Sequence, residues 1–213
     1  MLEVIDIHKS FKGEPVLRGV SFVIPEAGVL GIYGSNGAGK TTLLNILAAI
    51  FPPDSGQVMM NGIRPEQRAY HDLVGFVPQN TALFQRLTVQ QNLNFWASIR
   101  GFTQKELRQR VAEAAEMANV TSFLDKPVGR CSSGMARRAN LAAGLIGTPP
   151  FILLDEPTAG IDEENRSLIF DTIGKLRKKG CLVVIVNHYY QELEGICDWI
   201  IQIKNGCMAA SDS

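Results

Sequence analysis

The stretch Gly34-Ser-Asn-Gly-Ala-Gly-Lys-Thr41 fits G-x-x-x-x-G-K-[ST]. It follows a short apolar run, Gly28 to Tyr33, of the kind that forms a buried strand entering a loop. It opens a segment from about Gly39 to Ile50 with helical spacing, stopped by Pro52-Pro53. Glycines at this spacing let the backbone wrap closely around phosphates with successive N–H groups turned inward. The helix start adds its positive end. Lys40 can then reach the β- and γ-phosphates of a nucleotide, and the Thr41 hydroxyl can ligate Mg²⁺. The competing reading is a Gly-rich turn that happens to hold a lysine. A chance match in a chain this long is on the order of one in a hundred, and the strand–loop–helix setting lowers that further.

Such a site needs a carboxylate at the end of a neighbouring strand to hold the metal. Phe151-Ile-Leu-Leu-Asp155-Glu156 supplies it: four apolar residues that must be buried, then two acids at the strand's C-terminal end, where α/β sheets place ligands. Asp155 is the better metal partner, and Glu156 is left to polarise a water for attack on the γ-phosphate.

Outward from these motifs, the chain reads as strands at 2–7 and 16–24 joined by the turn Lys12-Gly-Glu-Pro15, then strands at Gln57–Met60 and Leu73–Val77. From about 82 to 148 the pattern is helical. Thr88 can cap a helix through Trp96, and Thr103-Gln-Lys-Glu106 is a capping box opening a helix with Leu107, Val111, Ala114 and Ala115 on one face. A third helix starts near Ser132 and is ended by Thr148-Pro-Pro150. Strands at Phe151–Leu154, Cys181–Val186 and Trp199–Ile203 flank a helix at Glu163–Lys179, with Gly180 as its stop. This alternation predicts an α/β fold: a mostly parallel sheet covered on both faces, an antiparallel N-terminal β subdomain and an inserted α-helical subdomain.

Lys+Arg and Asp+Glu both number 21, so no basic surplus argues for nucleic acid or an anionic membrane surface. The basic cluster Lys175-Leu-Arg-Lys-Lys179 suits the C-terminal end of a helix. Cys131, Cys181, Cys197 and Cys207 form no CxxC pair and no zinc spacing, which fits a reducing compartment. The apolar runs are strand-sized, and the N-terminus lacks a signal peptide's regions, so the expectation is a cytosolic protein.

Cys131-Ser-Ser-Gly-Met-Ala-Arg-Arg138 places small polar residues before a helix, and two readings stand: a plain helix cap at Ser132, or a helix start that holds an anion. This cluster, the phosphate loop and Leu153-Leu-Asp-Glu-Pro-Thr-Ala-Gly-Ile-Asp162, in that order, make the whole chain resemble an ATP-binding cassette (ABC) ATPase. The nearest likeness is to the nucleotide-binding subunit of an ABC transporter, and Ser-Gly-Met followed by Arg-Arg is similar to the export-type branch. The fold implied is a P-loop NTPase core in one domain, 1–213, with 1–81 and 150–213 as the nucleotide-binding part and 82–149 as the helical subdomain.

The resemblance also implies roles. Gly34, Ser35, Asn36, Gly37, Ala38, Gly39, Lys40, Thr41 and Thr42 would contact ATP, and Phe11 would stack on adenine, against the alternative of a core Phe at a strand end. Thr41, Gln79 and Asp155 would hold Mg²⁺, while Glu156, Gln79 and His188 would serve hydrolysis. Ser132 and Gly134 would cap the γ-phosphate of ATP bound to a second cassette, homologous or identical, and Asp162 belongs to the loop between the two. The family usually reads Leu-Ser-Gly-Gly-Gln at the cluster; Ser133 in place of the first glycine would be strained if its φ were positive. Separate transmembrane permease chains are implied, docking near Thr81-Ala-Leu-Phe-Gln-Arg-Leu87, with the alternative that Leu and Phe there close the helical core. The location implied is the cytoplasmic face of a membrane. A soluble ABC ATPase of cofactor assembly is the competing function, and a module that binds nucleotide without hydrolysing it is a third. A coiled-coil repair ATPase is disfavoured, because no sustained heptads separate Lys40 from Asp155. With Ile203 so near the last residue, no regulatory C-terminal domain is expected.

Overall fold

A computed structural model describes residues 1–209. The last four positions of the 150–213 segment lie outside the described residues. The chain opens with a hairpin of β1 (Leu2–Phe11) and β2 (Glu14–Ile24). Its turn is the pair Lys12-Gly13, both at positive φ, rather than the four residues expected. Two central residues at positive φ match the right-handed twist of the strands they join, so the strands run further before turning.

Next come β3 (Gly28–Tyr33), α1 (Lys40–Leu47), β4 (Ser55–Met60), α2 (Arg68–Leu73) and β5 (Val74–Val77). The first helix is shorter than its spacing suggests because Ala49 adopts a left-handed φ of 58°, ending it before the prolines. The six residues of α2 are too few for an apolar period to show, so Leu73 reads as a strand residue from sequence and is helical in fact.

Three α-helices lie between β5 and β6: α3 (Val89–Ile99), α4 (Gln104–Met117) and α5 (Ser133–Gly144), with two 3₁₀ turns at Thr121–Phe123 and Val128–Arg130. Thr88 and Thr103 both form full capping boxes, with Gln91 and Glu106 respectively. Leu107, Val111, Ala114 and Ala115 are buried as the spacing requires. The third helix stops at Gly144, short of the prolines. The chain then forms β6 (Phe151–Asp155), α6 (Glu163–Lys178), β7 (Leu182–Asn187), α7 (Gln191–Glu194), β8 (Trp199–Lys204) and β9 (Cys207–Met208). Gly180, at φ +80°, follows the end of α6.

The strands form an antiparallel sheet in the order β2-β1-β4 and a larger sheet in the order β5-β6-β7-β3-β8-β9, parallel except for the β8–β9 pair. Alternation along the central strands divides two cores. Ile152, Leu154, Val183 and Ile185 face the core built with α3, α4, α5 and α6; Phe151, Leu153, Val184 and Val186 face the one containing α1 and the antiparallel sheet. Parallel register pairs Val77 with Leu154, Asp155 with Val186 and Tyr33 with Asn187, so four strands finish level at one edge of the sheet. Whatever follows β3, β5, β6 and β7 is thereby gathered in one place. Among the described residues, no helix is long and apolar enough to cross a membrane.

Candidate functional site

At that edge lies a cleft of about 520 Å³ lined by Val16, Asn36, Gly37, Gly39, Lys40, Thr41, Thr42, Gln79, Glu156 and His188. The loop after β3 is shaped by close approach. A Cβ on Gly34 would strike the carbonyl of Ile203, and one on Gly39, at φ +106°, would stand 2.7 Å from Leu17 Cδ2 and 3.0 Å from the Val16 carbonyl. Ala38 N donates to the Ser35 carbonyl at 3.2 Å, and the Ala38 carbonyl accepts from Gly206 N at 3.1 Å. The loop is fixed to its surroundings before any ligand is considered.

Lys40 is buried, and its Nζ donates to the carbonyls of Gly34 (2.7 Å) and Ser35 (3.0 Å). Burial lowers its pKa, partly offset by the charges of Glu156 and Asp155. Asp155 ends β6 with 2 % of its surface exposed, and the Thr41 hydroxyl donates to its Oδ1 at 3.4 Å. Burial raises the Asp155 pKa, Glu156 raises it further, and Thr41, Lys40 and His188 oppose the rise.

Glu156 is buried at a left-handed φ of 47°, its N–H donating to the Val186 carbonyl at 3.0 Å. A non-glycine residue there is held by its surroundings against a local cost. Its carboxylate takes two partners: Gln79 Nε2 donates to Oε2 at 2.7 Å, and His188 Nε2 lies 2.5 Å from Oε1. His188 Nδ1 is 3.5 Å from Lys40 Nζ. One tautomer satisfies both sides of the ring, with Nε2–H donating to Glu156 and Nδ1 accepting from the lysine ammonium. Asn187, just before it, is tied through its Nδ2 to Glu192 at 2.6 Å, which steadies the turn that presents the imidazole.

The remaining positions singled out from sequence lie elsewhere. Ser132 caps α5, its Oγ accepting from Met135 N at 3.2 Å. Ser133 opens that helix and is not among the residues with positive φ, so the strain considered for it does not arise. Asp162 caps α6, and Asn165 joins the two helix starts. It donates to both Asp162 carboxylate oxygens (2.9 and 2.8 Å) and accepts from Arg138 Nε at 2.9 Å. A Cβ on Gly134 would overlap the Asn165 side chain, so the glycine is needed for packing within the chain. Phe11 is 45 % exposed at the hairpin end and is not a core residue; its ring meets Phe51 edge-on at 5.7 Å, with Lys9 Nζ 5.7 Å from its centre. Of the apolar residues in 81–87, Leu83 is buried in the helical core while Phe84 is exposed, edge-on to Phe95 at 4.9 Å.

A family model described as "ABC transporter" matches residues 17–159. The chain belongs to the ABC transporter family. Among curated relatives, the linearmycin resistance ATP-binding protein LnrL of Bacillus subtilis (strain 168) is 35 % identical over 212 residues, covering 99 % of this chain and 68 % of its own. Nod factor export ATP-binding protein I of Rhizobium sp. (strain N33) is 31 % identical over 214 residues, covering 100 % of this chain and 70 % of its own. The chain thus spans about two thirds of these relatives' length. The fold matches the ATP-binding cassette MJ0796, solved as a dimer in a post-hydrolysis state bound to ADP and Pi. The TM-score is 0.88 and the identity 27 %, over 99 % of this chain and 97 % of that one. The mostly parallel sheet, the antiparallel N-terminal sheet and the helical segment expected from sequence are those of ABC cassettes.

Two functional positions carry no role from sequence: Val16, which lines the cleft, and Asn140, which with Arg137 bonds the loop carrying Gln79. A signal for Asn140 was available: it is a polar residue at a buried-face position between Ala139 and Leu141-Ala142.

Proposed function

We propose that this chain is the ATP-hydrolysing subunit of an export-type ABC transporter, driving transport by ATP-dependent pairing with a second cassette and coupling to separate membrane-spanning chains. The observation that carries this reading is Glu156, held by Gln79 and His188 beside the phosphate loop at the end of β6. The names of relatives concerned with linearmycin resistance and Nod factor export support the transport role and its direction. The dimeric cassette structure supports the pairing. The working location is the cytoplasmic face of the membrane, and residues 82–149 act as a helical subdomain inserted between core segments 1–81 and 150–213.

In this reading the amides of residues 34–42 and the Lys40 ammonium receive the β- and γ-phosphates, Phe11 stacks on adenine, and Glu156 accepts a proton from the attacking water. Gln79 and His188 hold the glutamate's two oxygens, so it is aligned before the substrate arrives. Thr41 meets the buried Asp155 carboxylate, and with the amide oxygen of Gln79 they would offer the all-oxygen donor set that suits a hard divalent cation. Mg²⁺ held there would neutralise charge on the phosphate oxygens. Ser132 and Gly134 at the start of α5, with Asp162, complete the site of the second cassette.

The test is Glu156→Gln in the full chain, with turnover, nucleotide binding and mass by light scattering measured together. The variant is expected to bind ATP, lose Mg²⁺-dependent hydrolysis and shift from monomer to dimer with ATP. Hydrolysis at the wild-type rate would remove Glu156 from the catalytic role.

A further inference from the structure

Gln79 stands in the irregular segment 78–88. Among the described residues, the bonds holding that segment's backbone come from the helical side of the molecule. Asn92 on α3 accepts from Phe84 N at 2.7 Å and donates to the Thr88 carbonyl at 2.9 Å. Trp96 Nε1 donates to the Ala82 carbonyl at 3.0 Å, and the N–H groups of Val128 and Gly129 donate to Leu87 and Gln85. The bonds that flank Gln79 itself come from α5. Asn140 Oδ1 accepts from Ala82 N at 3.0 Å and its Nδ2 donates to the Pro78 carbonyl at 3.1 Å, so one side chain spans Gln79 on both sides. Arg137 donates to the carbonyl of Gln79 itself. Toward the sheet, the segment's side-chain bond is that of Gln79 to Glu156.

Asn140 is 2 % exposed. Leaving either end of a buried amide unbonded is costly, and Asn140 has both ends bonded, which makes this clamp specific in position. Arg137 lies three residues earlier on the same helix face. Asn140 is eight residues beyond the Ser132 cap, about 12 Å along a rigid helix. A displacement of α5 therefore carries the backbone of Gln79 with it, and the amide that aligns Glu156 follows.

We propose that Asn140, assisted by Arg137, is a positioning residue for hydrolysis: it fixes the Gln79–Glu156 contact from α5. It touches neither nucleotide nor water and acts through Gln79. The inference rests on the reading of Glu156 as the base.

The test is a double-mutant cycle of Asn140→Ala with Gln79→Ala in the full chain, measuring ATP hydrolysis, with wild type and Glu156→Gln alongside. Asn140→Ala is expected to lower kcat by roughly tenfold with KM for ATP little changed, and to cost nothing further once Gln79 is alanine. A merely structural role would lower activity equally in both backgrounds, and that result overturns the inference. So does an unchanged kcat in Asn140→Ala while wild type turns over and Glu156→Gln does not. If wild type fails to hydrolyse, or Glu156→Gln retains activity, the proposed function itself falls. Should Asn140→Ala fail to fold, Arg137→Gln at its half-buried position decides. A kcat loss that vanishes in the Gln79→Ala background supports the inference, and no loss, or an equal loss in both, overturns it.

Discussion

Replacing Gly134 by alanine sets two effects against each other. Alanine is the better helix former, and near the start of α5 the gain is about 0.5–1 kcal/mol. Against it, the new methyl overlaps Asn165, which is buried and held by Asp162 and Arg138. Forcing an extra carbon into a packed contact costs about 1–3 kcal/mol. Turning Asn165 out of the way breaks its bonds to Asp162 and Arg138, so yielding offers no cheaper route. At mid-range values the packing cost wins, leaving a net loss of about 1 kcal/mol, or ~2–4 °C in Tm for a chain of this size. Thermal or urea unfolding of the two proteins measures this directly. The sign depends on Asn165: in an Asn165→Ala background the same Gly134→Ala change should become neutral or stabilising. A Gly134→Ala protein as stable as wild type, or an equal loss in both backgrounds, would refute the assignment of this glycine to the contact between helix starts.

Asp155→Asn should raise the thermal stability of the nucleotide-free protein at neutral pH. Burial first, and then Glu156, raise the carboxyl's folded pKa above the ordinary 3.8. The ionised form therefore subtracts stability above the raised value, and the penalty fades as pH falls below the unfolded one. A Tm gain at about pH 7.5 that shrinks near about pH 4 is expected, and no gain at the higher pH would count against the sign. Thr88→Ala removes the hydroxyl that accepts from Gln91 N at 3.1 Å and should cost ~0.5–2 kcal/mol by urea unfolding. No loss would mean the cap is idle.

The local signals carried the fold because each rests on a short-range cause. Gly34, Gly39 and Lys40 lie together in the chain and together in space, and the apolar run Phe151–Leu154 had to be buried wherever it went. Parallel register then did what spacing alone could not, bringing Gln79, Glu156 and His188 to one cleft. The clamps at Asn92, Asn140 and Asn165 are not legible in sequence, since their partners are backbone groups or side chains brought together by the fold. The two-residue turn at Lys12-Gly13 and the left-handed Ala49 escaped for a different reason: neither residue before the glycine nor the alanine advertises positive φ. Phe84 and Leu83 show the same limit, adjacent apolar residues of which one is buried and the other exposed.

The sheet order has a consequence for synthesis. The antiparallel sheet β2-β1-β4 has all its strands by Met60, so it can form early on the ribosome. The strand that carries the phosphate loop cannot. β3 pairs with β7 and β8, and its nearer neighbour in sequence ends at Asn187. At ~5–20 residues per second, the roughly 150 residues between them take ~8–30 s to emerge. Through that interval Gly28–Tyr33, buried in the finished sheet, is an apolar strand with both edges open. Until β7 emerges this segment has no partner strand, so the nucleotide loop cannot take its folded setting before then.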